Sequence, residues 1–228
     1  MGGPLGTLLA GVAEGDWLRV LSSVSVIAAL LLVALPLHEL AHALTAKWLG
    51  DDTAERLGRV TLNPLAHLDV FGTLLVLLAG FGWAKPVPVN PYRLRTDPRT
   101  GMALVAIAGP LTNLLLAVAA ALIFRLASGL NILEGYGPLG PFLGGWLGEM
   151  LFALVVFNTF LALFNLIPVP PLDGSRLLAL VLPEQAQPMM EMLERYGFVI
   201  LLLLFSFGGM SRLIATPANW LVRMLLFM

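Results

Sequence analysis

Residues 18–50 read LRVLSSVSVIAALLLVALPLHELAHALTAKWLG, an apolar run that carries two histidines and a glutamate without being interrupted by them. It is longer than the roughly 20 residues an α-helix needs to cross a bilayer, and its Ala and Leu content suits a helix. Gly50 supplies a stop signal, and Pro36 is expected to kink the span because it lacks a backbone donor and crowds the preceding turn. An unpaired charge inside such a span costs several kcal/mol, so His38, Glu39 and His42 mark function rather than a solvated face.

The rest of the chain has the same character. Of its 228 residues 58% are hydrophobic and 12% charged, and the mean hydropathy is +0.89, which makes lipid the expected solvent. Further apolar stretches occupy residues 70–84, 102–126 and 147–167, and another begins near Phe198. The expected architecture is an all-α polytopic membrane protein. It is a single membrane-embedded domain over residues 1–228, with about four to six membrane segments and a small β or hairpin region between the first and the next full span.

The formal net charge of -1 gives no basic footprint for nucleic acid. The chain has no cysteine, so disulfides, thiolate metal sites and cysteine nucleophiles are excluded. Any metal must be held by His, Asp or Glu.

Residues 51–67 are polar, and GRVTLNP suggests a short extended segment ending in a turn at Asn63 and Pro64. Residues 70–84 are short for a crossing. Basic residues prefer cytoplasmic loops, and Lys47, Arg56 and Arg59 precede that segment while Lys85, Arg93, Arg95 and Arg99 follow it. Both loops then face the cytoplasm, the short segment dips in and returns, and the chemistry lies towards the cytoplasmic side.

The sharpest motif is HELAH at residues 38–42. Residues four apart on a helix project within roughly 40 degrees of one another, so both imidazoles can reach one metal ion. Glu39 is placed to accept a proton from water, the division of labour of HExxH metalloproteases. Catalytic zinc takes three protein ligands, and Asp173, in FNLIPVPPLDGSR, can fold back from a membrane edge as the third. His67 and Asp69, in NPLAHLD, compete for that place; the plainer reading is an interfacial His67 and an Asp69 that caps the next segment. Asn113, in GPLTN, reads as an interhelical hydrogen bond. Asn165 either satisfies backbone freed by Pro168 or donates to the oxyanion of a tetrahedral intermediate. His67 also carries a substrate-positioning reading.

Taken together, HELAH, GPLTN and NLIPVPPLDG resemble the site-2 protease family of intramembrane zinc metalloproteases, over roughly residues 30–180. The resemblance implies one zinc ion held by His38, His42 and Asp173, Glu39 as general base, and a transmembrane protein as substrate. GRVTLNPLAHLD and WAKPVPVNP resemble the short forms, in which this region makes a small sheet and a membrane-dipping hairpin. The sequence contains neither the inserted PDZ domain nor the CBS pair of longer members. The alternatives are a membrane metal transporter and a catalytically silent scaffold. A permeation path needs polar sites across the whole bilayer, whereas this chain concentrates them near one face, and an intact Glu39 argues against the scaffold.

Overall fold

A computed structural model describes residues 4–79, 82–134, 140–206 and 209–227. The described chain is mainly helical, with irregular loops between its helices: α1 (Pro4–Glu14), α2 (Trp17–Ala29), a π-helical turn (Leu30–Ala34), α3 (Leu35–Trp48), α4 (Thr53–Arg56), α5 (Val70–Ala79), α6 (Pro98–Gly129), α7 (Gly140–Asn165), α8 (Gly174–Val181), α9 (Gln187–Ser206) and α10 (Gly209–Phe227).

Among the described residues, three helices are long and apolar enough to cross a membrane: Trp17–Trp48, Pro98–Gly129 and Gly140–Asn165. The protein is an all-α integral membrane protein. Its surface is inverted relative to a soluble fold, as α6 shows. Leu104, Ile107, Leu111, Leu115, Leu122 and Leu126 face outward, while Ala103, Ala106, Gly109, Asn113, Ala117 and Ala120 face the bundle. Lipid tails are as apolar as leucine, so association between spans relies on close packing of small residues and on buried polar contacts. Helix α6 accordingly packs against α3 and α7, and α2 packs against α7.

The first span runs continuously from Trp17 to Trp48. Pro36 has no N–H for the carbonyl four residues back, and the chain absorbs this just upstream as a π turn, in which Leu35 donates to Leu30. The expected perturbation at Pro36 is thus a widened turn ahead of the HELAH segment.

Around residues 51–69 the outcome differs from the expected strand. Asn63 forms the turn, its side chain accepting from Leu65 N, but among the described residues no strand forms. One isolated antiparallel bridge, Leu68 to Ala84, is the only β pairing among the described residues. GRVTLNP lacks a neighbouring strand to satisfy its ladder, and local side-chain caps take the backbone donors instead.

Helix α5 has ten residues, about 15 Å at 1.5 Å per residue, half of a bilayer's hydrocarbon core. The chain then doubles back: Lys85 N donates to His67 O at 2.7 Å. The return is tight because Gly72 and Gly82 lie backbone to backbone; a Cβ on Gly82 would stand 2.1 Å from Gly72 O. Five further hydrogen bonds join the flanking loops. Arg59 donates to the carbonyls of Lys85 and Pro86, Asn90 N to buried Asp51, Arg93 to Asp52, and Arg95 N to Leu49 O. The loops on either side of α5 therefore form one layer. Within it, hydrogen bonding from Arg56 holds the Asp52 carboxyl below its ordinary pKa.

Candidate metal centre

Helix α3 buries His38, Glu39, His42, Ala43 and Ala46, one stripe at helical spacing. The Nε2 atoms of His38 and His42 are 3.1 Å apart. Asp173 Oδ2 lies 3.3 Å from the first and 3.4 Å from the second. These side chains form the one group of potential metal ligands found among the described residues.

Each ring is held from behind. His38 Nδ1 meets Asn113 Oδ1 at 2.6 Å, and His42 Nδ1 meets the Val105 carbonyl at 2.7 Å. Since both partners are acceptors, each Nδ1 carries the proton and each Nε2 presents a lone pair. The polarity is propagated outward: Asn113 Nδ2 donates to Asn158 Oδ1 at 3.0 Å, and Asn158 Nδ2 donates to Leu154 O at 2.9 Å. Room for the rings comes from Gly109, where a Cβ would stand 2.4 Å from His42 Nε2 and 2.5 Å from His38 Cε1.

Asp173 reaches the histidines through the broken end of α7. It occupies the N-cap position of α8 but makes no capping hydrogen bond. Gly174 permits the fold-back, because a Cβ there would lie 2.2 Å from Leu166 O. Asp173 Oδ2 is enclosed and has no hydrogen-bond partner. With both imidazoles neutral and protonated at Nδ1, three lone-pair donors converge and repel one another unless a cation sits among them. Zinc bonds of about 2.0–2.1 Å in tetrahedral array give donor separations near 3.3 Å, the spacing found here. The residues fit the metal.

Several expected residues lie elsewhere. Asp69 accepts from Gly72 N at 2.9 Å and caps α5. His67 is fully buried, its Nε2 directed at Thr61 O, and neither residue joins the donor group. Asn165 directs its Nδ2 at Leu161 O, one turn back in its own helix, rather than at the carbonyl freed by Pro168. Asn158, the Val105 carbonyl and Gly109 were not assigned roles by sequence reading. An asparagine within an apolar span is the signal that could have found Asn158. Burial lowers the pKa of Arg59, whose guanidinium donates to the Lys85 and Pro86 carbonyls.

The description Peptidase family M50 matches residues 26–138 and 143–205. The chain belongs to peptidase family M50. As a member of this site-2 protease family, it is an intramembrane zinc metalloprotease. The chain is 45% identical over 178 residues, 77% of either chain, to the candidate zinc metalloprotease YwhC of Bacillus subtilis. It is 31% identical over 227 residues to the candidate zinc metalloprotease Rip2 of Mycolicibacterium smegmatis, covering 94% of this chain and 80% of that one. The candidate zinc metalloprotease MJ0611 of Methanocaldococcus jannaschii is 32% identical over 141 residues, 62% of each. No solved structure matches the chain.

Proposed function

We propose that this M50 protease hydrolyses a peptide bond within or near a transmembrane segment of a membrane-protein substrate, with His38, His42 and Asp173 as zinc ligands and Glu39 as general base. The observation that carries the assignment is the convergence of two Nε2 atoms and an orphaned Asp173 Oδ2 at 3.1–3.4 Å.

Bound at these donors, zinc supplies the Lewis acidity that lowers the pKa of water and polarises a scissile carbonyl. The protein does the remainder. Asn113 and the Val105 carbonyl keep both imidazoles in the tautomer that offers Nε2. Glu39, next to His38 on the buried stripe, accepts a proton from the attacking water and returns it to the departing amine. The small inward residues of α6 let three helices close around the site, so the reaction proceeds away from bulk water.

The finer topology follows the same reading. The loops around α5 lie on the cytoplasmic side of the cell membrane, where their basic residues belong, and α5 with its return segment dips into the bilayer without crossing. The site then lies towards the cytoplasmic face. Gly82, Pro86, Pro88 and Pro91, with Gly80, which lies outside the described residues, supply by composition a deformable flank that would gate access to the site.

The direct test is cleavage of a single-span substrate by the protein in nanodiscs after chelation and after zinc return. Activity lost with the metal and restored by stoichiometric zinc supports the reading. Activity indifferent to chelation that verifiably strips the metal would sink it.

A further inference from the structure

A cavity of about 260 Å³ lies between the start of α1 at Pro4, the first span, the α5 hairpin and α7. Its walls include Leu35, Val76, Val156, Phe157, Phe160 and Phe164, and among the described residues no polar side chain lines it. Leu35 is four residues before Glu39 and three before His38, so the cavity wall shares one helical stripe with the catalytic centre, about one turn away. On α7, Phe157 adjoins Asn158, which holds the Asn113 amide that orients His38. Phe160 and Phe164 stack at 5.9 Å as one flat wall.

The size is informative. An apolar cavity of about 150 Å³ holds a benzene-sized ring, so this one accommodates a phenylalanine or leucine side chain with space for the atoms that lead to it. Such a chamber has no use for a polar group, which would enter without partners. A substrate drawn from a membrane span offers mainly aliphatic and aromatic side chains.

We propose that this cavity is the subsite that receives one large apolar side chain of the substrate beside the scissile bond, and so selects which residue stands there. The proposal rests on the protease reading above. Val156 and Phe160 set the depth and width of the subsite. Lipid already solvates apolar side chains, so selection arises from shape: a filled pocket aligns the scissile carbonyl with Glu39, and an empty one leaves it adrift.

The experiment uses the zinc-loaded full chain in nanodiscs and single-span substrates carrying Ala, Leu, Phe or Trp in turn at each position flanking the mapped cleavage bond. At one position kcat/KM should rise at least about tenfold from Ala to Leu or Phe, the scale of apolar-pocket discrimination. Val156→Phe fills the cavity and should turn that preference towards Ala. Phe160→Ala enlarges it and should admit Trp. Zinc content and melting temperature matching the parent establish that each variant is folded. Cleavage without a large-apolar preference at any position, or with a preference that neither folded variant moves, overturns the subsite alone. If the zinc-loaded parent cleaves no member of the series, the protease reading falls and the subsite with it.

Discussion

Asn113 Oδ1 accepts from His38 Nδ1 at 2.6 Å across 75 positions of sequence. This bond joins α6 to α3, and the other end of the same amide donates to Asn158 on α7. One side chain thus ties three spans together at the point where the metal-facing nitrogen must be aimed. In lipid, neither the amide nor the imidazole has water to fall back on.

Removal of that acceptor should loosen the ring without removing a ligand. Asn113→Ala is expected to weaken zinc affinity by roughly tenfold to a hundredfold, the usual effect of losing a partner behind a ligating histidine. Asn158→Ala should have a smaller effect in the same direction, since it acts through Asn113. Competition titration with a chromophoric chelator in nanodiscs measures both. Unchanged affinity in Asn113→Ala would show that the ring needs no such support.

Asp173→Ala removes the carboxylate from the triangle and should yield protein with substoichiometric zinc and no cleavage. His67→Ala and Asp69→Ala should retain full zinc content, because these residues engage Thr61 and Gly72 instead. Elemental analysis of the three variants decides the third ligand. Zinc retained in Asp173→Ala but lost in His67→Ala would reverse the assignment.

Glu39→Gln keeps the shape of the side chain and removes its basicity. Zinc should remain bound, while kcat should fall by about a hundredfold to ten-thousandfold, the usual contribution of general acid-base catalysis. A variant that cleaves near the parent rate would mean another group takes the proton.

Gly109→Ala places a methyl 2.4 Å from His42 Nε2. Helix propensity favours alanine over glycine, so a purely local view expects higher stability. The expected outcome is the opposite at the site: displaced imidazoles, and zinc binding at least about tenfold weaker, a loss of at least 1.4 kcal/mol. Metal titration together with melting curves separates the two effects.

The absence of native cysteine makes topology directly testable. Single thiols introduced at Leu65 and Tyr92, 77% and 89% exposed, should react with an impermeant reagent from the same, cytoplasmic side of sealed vesicles. Labelling from opposite sides would show that the α5 segment crosses.

Solvent and donor chemistry were legible from composition and local spacing. Composition requires lipid, and His38, Glu39 and His42 share a helix face because the 3.6-residue period is local and needs no tertiary contact. Asp173 was a candidate third donor from its place after a broken apolar span, but His67 and Asp69 competed with it and only the resemblance of NLIPVPPLDG to a known family favoured it, since no local rule says that a carboxylate more than a hundred residues away returns to that face. Tertiary structure decided the rest. Asn158 acquires its role from the packing of α6 on α7, and Val105 contributes a carbonyl that every residue type carries, so its identity gives no signal. The strand expected in GRVTLNP failed for a related reason: a strand is stabilised by a partner that its own sequence does not supply. The return of α5 depends on Gly72 and Gly82 meeting backbone to backbone, an approach that is set by where the two segments lie in space rather than by either glycine alone.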